Sequence, residues 1–207
     1  MKYKNYFRKS SFKKDKTNAN IFLELVNKYK PKSFLEVGVL EGVTARNVCE
    51  LLLKLHGNDF KYTGIDLFGL DININNDKEF TPISNNYSNP FKYIYFNYIL
   101  RNHPNSLKGV NILLKKFNNL VHLYQGYSKD LLSTIDLEKI DFVFLDGGHA
   151  YETVKEDLSI ILKKIKNNST IVLDDYNQVE YGVKKAADEI KEKYESYQTG
   201  RFLVIKK

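Results

Sequence analysis

The stretch Ile140 to Tyr151, IDFVFLDGGHAY, constrains this chain more than any other. An apolar run broken only by Asp141 gives way abruptly to an acid, two glycines and a histidine. Buried strands of a parallel sheet read as such runs, and ligands of open α/β sheets bind at the carboxyl ends of the strands. Asp146 is therefore expected at an edge where chemistry is usual, with Gly147 and Gly148 turning the backbone and His149 three residues on. Taken alone, the same residues also suit an ordinary strand-to-helix turn with Asp146 as a helix cap.

The pattern recurs along the chain. Phe22, Leu25, Val26 and Tyr29 share one helical face, and Pro31 ends that helix. Ser33 to Val37 reads as a strand, followed by the loop Gly38 to Gly42 and a helix carrying Val48, Leu51, Leu52 and Leu55 on one face. Phe60 to Leu67 is a second strand, with Asp66 at its tip. A strand, a glycine loop, a helix and an acid-tipped strand suit a ligand with ribose hydroxyls. The loop lacks the third glycine of the dinucleotide fingerprint, so a nucleoside without a pyrophosphate fits it better.

Residues 68 to 106 interrupt the alternation and are rich in Asn, Tyr and Phe, with a short aromatic helix expected within Asn89 to Arg101. So long a connection reads as a lid or a substrate surface, the alternative being an insertion that packs on the sheet. Beyond it, Leu107 to Phe117 is a helix, Val121 to Tyr124 a strand and Lys129 to Ile135 a short helix. Tyr151 to Ile165 is an amphipathic helix and Thr170 to Leu173 a strand ending in Asp174 and Asp175. Val183 to Ile190 marks a last long helix, and Tyr194 to Gln198 with Arg201 to Ile205 reads as an antiparallel hairpin at the sheet edge.

Composition narrows the classes. The chain of 207 residues suits one domain, and no apolar run reaches the roughly 20 residues that span a bilayer. The N-terminus does not read as a secretory signal, and the single cysteine, Cys49, suits a reducing cytoplasm. Of the net charge of +7, nearly all lies in residues 1 to 16, where basic side chains face only Asp15. This arm reads as a solvated or loosely docked terminus, with contact to phosphates as the alternative.

Polar groups thus end several strands at one edge: Glu36, Asp66, Gln125 with Ser128, Asp146, and Asp174 with Asp175. Buried carboxylates need partners. The three acids Asp146, Asp174 and Asp175 form an oxygen set that suits Mg²⁺, with Mn²⁺ or Ca²⁺ as alternatives.

With these residues in view, the chain resembles the class I S-adenosylmethionine-dependent methyltransferases. FLEVGVLEG (34–42), YTGIDLF (62–68), YQGYSKDLL (124–132), FLDGGHAYE (144–152) and IVLDDYN (171–177) carry the likeness. As a set they are most similar to the metal-dependent small-molecule O-methyltransferases, the catechol and macrocin types among them. The resemblance implies an α/β, Rossmann-like, seven-stranded, mostly parallel sheet with helices on both faces and a C-terminal antiparallel hairpin. It implies that Glu36, Gly38 and Gly42 line the methionine end of S-adenosyl-L-methionine, that Asp66 binds the ribose, and that Gly126 and Ser128 sit near the adenine. It further implies that Asp146, Asp174 and Asp175 hold a divalent cation, Mg²⁺ first. His149 falls at the position of the general base, where an imidazole can accept the proton of a hydroxyl.

The chain departs from the catechol pattern in three ways. Asp175 replaces an amide, Gly147-Gly148 replaces an aromatic wall, and there is no tryptophan. The expected acceptor is accordingly a hydroxyl on a small polar molecule such as a sugar. The rival readings are an RNA or other nucleic-acid methyltransferase, a non-catalytic S-adenosylmethionine-binding module, and a nicotinamide oxidoreductase. A homodimer is left open.

Overall fold

A computed structural model describes residues 2–69, 87, 89–178 and 182–207. Seven strands form one sheet: β1 (Ser33–Val37), β2 (Lys61–Asp66), β3 (Val121–Gln125), β4 (Phe142–Leu145), β5 (Thr170–Leu173), β6 (Glu195–Thr199) and β7 (Phe202–Lys206). Their order is β3-β2-β1-β4-β5-β7-β6. The first five run parallel, and β7 is antiparallel to both β5 and β6. The order reverses between β1 and β4, the switch point at which open α/β sheets take their ligands.

Strands β1, β4, β5 and β7 are covered on both faces, and their side chains divide by the two-residue period of a strand. Phe34, Phe142, Phe144, Val172, Phe202 and Val204 join the cluster built with α1 (Lys16–Tyr29) and α2 (Val43–His56). Leu35, Val143, Leu145, Ile171, Leu203 and Ile205 belong to the opposite cluster, with α5 (Ser128–Thr134), α6 (Tyr151–Lys164) and α7 (Gly182–Asp188). Helix α4 (Leu107–Leu114) joins the first cluster through Val110 and Leu114.

Element boundaries follow local chemistry. Helix α1 begins at Lys16, ahead of the apolar face, because the Asp15 carboxylate accepts from Asn18 N at 3.1 Å and caps it. The aromatic helix of the insertion is present as α3 (Pro90–Ile94), capped by Asn89 and continued by a π turn over Tyr95–Ile99. The rest of the expected lid, residues 70–86 and 88, lies outside the described residues. The last helix is shorter than its apolar spacing suggests. α7 stops at Asp188, and a 3₁₀ turn over Lys191–Lys193 leads into β6.

The N-terminal arm departs from expectation most. Phe12 is 1% exposed and Arg8 4%. Phe12 packs in an aromatic cluster with Phe22, Phe144 and Phe202, at centroid distances of 5.7, 6.4 and 5.9 Å. Arg8 donates to the carbonyls of Glu41, Pro104 and Gly109 at 3.2, 2.7 and 2.9 Å. It thereby ties the arm to the glycine loop and to the end of the insertion. Aromatic side chains between the lysines supply the burial that a purely basic terminus would lack. Among the described residues, no helix is long and apolar enough to cross a membrane.

Candidate active site

The parallel strands end at one level because their ladders continue past them. Gly38 N donates to Ile65 O, Asp146 N to Val37 O and Asp174 N to Leu145 O, each at 2.9 Å, and Gly126 N donates to Asp66 O at 3.0 Å. The tips of β1 to β5 are thus tied side by side. Above them lies a cavity of about 830 Å³.

One half of the cavity belongs to β1, β2 and β3. Gly38 has φ +91°, and a Cβ built there would stand 2.0 Å from Asp146 O, so no side chain fits between the two loops. The loop it opens is held by Asp66. Its Oδ2 accepts from Val39 N at 2.7 Å and Leu40 N at 2.8 Å, while Oδ1 accepts from Phe68 N at 2.6 Å. A carboxylate has about four acceptor sites, so Asp66 retains capacity toward a ligand in the cavity that it lines. Burial raises its pKa, and these three backbone donors oppose the rise. Gly126 and Ser128 line the same half at the β3 tip.

The other half is formed by Asp146, Gly147, Gly148, His149 and Asp175. His149 Nε2 lies 3.1 Å from Asp175 Oδ2, with the imidazole 40% exposed and the carboxylate 14%. The histidine backbone is pinned from the far side by Gly182 N, which donates to His149 O at 2.8 Å. Asp146 Oδ2 accepts from Ser11 Oγ of the arm at 3.2 Å. Burial, followed by the charge of Asp174, holds the Asp146 carboxyl well above the usual carboxylate range.

Three expected site residues do not line the cavity: Glu36, Gly42 and Asp174. Glu36 is fully buried beneath it, where the Tyr62 hydroxyl donates to its Oε2. Burial pushes its pKa up to about 8. Gly42 has φ +76° and packs against Val110, toward which a Cβ would come within 2.8 Å. Asp174 turns into the protein and pairs with Arg201 Nη2.

Arg201 also bears on the expected cation site. Its Nη1 lies 3.7 Å from Asp175 Oδ1, so a guanidinium faces both acids at the β5 tip. Among the described residues, no group of three or more His, Cys, Asp or Glu side chains is arranged to hold a metal ion. In this geometry the donor set does not fit a divalent cation, because two of its three acids, Asp174 and Asp175, already face a cation of the chain.

Several residues of the site escaped the sequence reading. Lys9, Ser10 and Ser11 of the arm line the cavity, as do Asn105 and, from α6, Glu152, Thr153, Glu156 and Asp157. The aromatics interleaved with the arm's lysines were a signal that it packs. Arg201, in the turn after Thr199-Gly200 and just before β7, carried no local signal.

A family model described as a methyltransferase domain matches residues 35–176. No curated protein matches the chain. Among solved structures it is similar to the calicheamicin methyltransferase CalS11, with TM-score 0.65 and 13% identity, covering 94% of this chain and 80% of that one. It is similar to the O-methyltransferase NovP, with TM-score 0.61 and 19% identity, covering 90% and 78%. A third is the O-methyltransferase TomG from Streptomyces achromogenes in complex with S-adenosylmethionine, with TM-score 0.57 and 15% identity, covering 93% and 80%. The motifs at the strand tips, the sheet order and the match over residues 35–176 agree: the chain belongs to the methyltransferase-domain family, with the class I S-adenosylmethionine-dependent fold.

Proposed function

We propose that the protein transfers the methyl group of S-adenosylmethionine to a hydroxyl of a small polar acceptor, with His149 as general base. The observation that carries this reading is the His149–Asp175 pair, 3.1 Å apart, on the wall of the cavity that Gly38, Asp66 and Gly126 also line. The cofactor would lie over β1 to β3, with Asp66 toward its ribose and Gly126 and Ser128 toward its adenine. Gly38 would leave room for its methionine end, and the acceptor would enter on the side of Asp146 to His149.

The acceptor oxygen attacks the sulfonium methyl. A C–O bond forms, the C–S bond breaks, and its electron pair returns to sulfur to leave a neutral thioether. The hydroxyl proton passes to the His149 imidazole, and the imidazolium so formed is stabilised by the Asp175 carboxylate beside it. No part of this step is routed through a divalent cation, since Asp174 and Asp175 are turned toward Arg201.

Oxygen as the accepting atom is supported by the neighbours titled O-methyltransferases. A polar acceptor is supported by Gly147 and Gly148, which present no aromatic wall. The nucleic-acid reading loses support because two of the arm's seven basic side chains are engaged within the domain. Arg8 is buried on carbonyls, and Lys4 Nζ pairs with Glu50 at 2.8 Å. The test is thermal: S-adenosylmethionine should raise the melting temperature while NAD leaves it unchanged. A shift with NAD alone would overturn the reading.

A further inference from the structure

Two adjacent carboxylates at the tip of β5 repel each other unless a positive charge stands between them. That charge comes from the residue just before the last strand. Arg201 Nη2 pairs with Asp174 Oδ2, and Nη1 lies 3.7 Å from Asp175 Oδ1. The side chains are 11%, 1% and 14% exposed, so solvent screens the cluster little. Asp175 in turn presents its other oxygen to His149 Nε2 at 3.1 Å.

The guanidinium is held on several sides. Its carbon lies 4.6 Å from the centre of the Phe12 ring and 5.9 Å from that of Phe202. The backbone N of Arg201 donates to Asn18 Oδ1 at 3.1 Å, and its carbonyl accepts from Tyr176 N at 2.9 Å. Asn18 is itself fixed by Asp15, to which its Nδ2 donates at 2.7 Å. A planar guanidinium stacked on aromatic rings and aimed at carboxylates is an arrangement that only arginine supplies. Mg²⁺ would need an octahedral shell and several waters, whereas Asp174 is closed off from solvent. A dication at these oxygens would also lie against a fixed positive charge.

We propose that Arg201 takes the place of the divalent cation in this carboxylate cluster: it neutralises Asp174 and Asp175, closes them to metal ions, and positions Asp175 against His149. Arg201 is thus a positioning residue, acting on the proposed base through Asp175. Only the role of His149 rests on the methyl-transfer reading. Exclusion of metal rests on the ion pairs alone.

Calorimetric titration of the full-length protein with Mn²⁺ tests this without an acceptor. The wild type should bind Mn²⁺ weakly, and Arg201→Gln should bind it at least about tenfold more tightly, since two acids are then unpaired. Arg201→Lys keeps the charge without the planar fork and should gain less Mn²⁺ affinity than Arg201→Gln. Adding Asp175→Asn to Arg201→Gln should abolish the gain. Tight Mn²⁺ binding by the wild type that Asp175→Asn removes would overturn the proposal, as would a folded Arg201→Gln protein with no gain. If Arg201→Gln does not fold, the wild type and Asp175→Asn decide the question alone, by the presence or absence of a site that Asp175 supports. Failure of the methyl-transfer reading would register separately, as absence of S-adenosylmethionine binding.

Discussion

His149 Nε2 lies 3.1 Å from Asp175 Oδ2, joining the loop after β4 to the tip of β5. The pair is assembled across 26 residues of chain, and neither member suffices alone. An imidazole on a glycine-flanked loop needs a partner to hold its ring, and the carboxylate acts on the proton transfer only through the imidazolium that it stabilises. His149→Ala should therefore lower turnover by about 10²–10⁴-fold while leaving the thermal shift with S-adenosylmethionine unchanged. Asp175→Asn should lower turnover less. Asp175 has φ +54°, a conformation that asparagine tolerates well, so the substitution tests the charge rather than the backbone. Release of S-adenosylhomocysteine with a panel of glycosyl and phenolic hydroxyl acceptors measures both. Loss of cofactor binding in His149→Ala would make the histidine structural.

Gly38→Ala should be among the most damaging single substitutions. The new Cβ would stand 2.0 Å from Asp146 O and 2.7 Å from Gly147 Cα, both backbone atoms of the neighbouring strand tip. The loops after β1 and β4 would have to separate, at a cost of about 2–4 kcal/mol. The same movement would disturb the loop that Asp66 clasps through Val39 N and Leu40 N. Urea unfolding and the S-adenosylmethionine thermal shift should both report the loss.

The buried Glu36 predicts a pH dependence of stability. Its pKa is about 8 in the folded protein against the usual 4.5, because burial disfavours the charged form. Between those values the folded state retains a proton that the unfolded chain has released. Stability then falls as pH rises through this window and levels off above it. Below the window both states are protonated and the contribution is fully present. The span corresponds to several kcal/mol at most, on the order of 1.4 per pH unit. Urea unfolding at about pH 5 and about pH 8 should show the decline, and Glu36→Gln, an isostere of the neutral acid, should flatten it.

Phe12→Ala tests whether the arm is part of the domain. Phe12 is 1% exposed, lies among Phe22, Phe144 and Phe202, and supports the Arg201 guanidinium. Its truncation should cost about 3–5 kcal/mol, measured by urea unfolding. Because Ser10 and Ser11 line the cavity, S-adenosylmethionine affinity should fall as well. A change under about 0.5 kcal/mol, the range of ordinary surface substitutions, would return the arm to the status of a loose terminus.

Much of the fold is legible from local pattern. The runs Phe34 to Val37 (apolar but for Glu36), Phe142 to Leu145 and Ile171 to Leu173 identify strands buried on both faces, and polar residues at their ends identify the edge that carries the site. The hairpin formed by β6 and β7 is visible as two short runs about Thr199-Gly200. Helix ends are harder to place, since a cap such as Asp15 acts from outside the periodic stretch, and α7 yields to its surroundings before its apolar spacing runs out.

The sequence by itself determined the strands, the order in which their tips arrive along the chain, and the residue types at those tips, because side-chain period and strand-end chemistry are local properties. Which of those residues face one another was decided only in three dimensions. Glu36 and Asp66 end neighbouring strands; Glu36 is buried beneath the cavity while Asp66 lines it and clasps the glycine loop. Asp174 and Asp175 are adjacent in the chain; one is buried on Arg201 and the other lies between Arg201 and His149. The counter-charge for that pair lies 26 residues beyond Asp175, and the roof over Asp146 comes from Ser11, 135 residues away. Pairings over such separations follow from how the sheet closes and from which buried charges must be neutralised, so no local pattern records them.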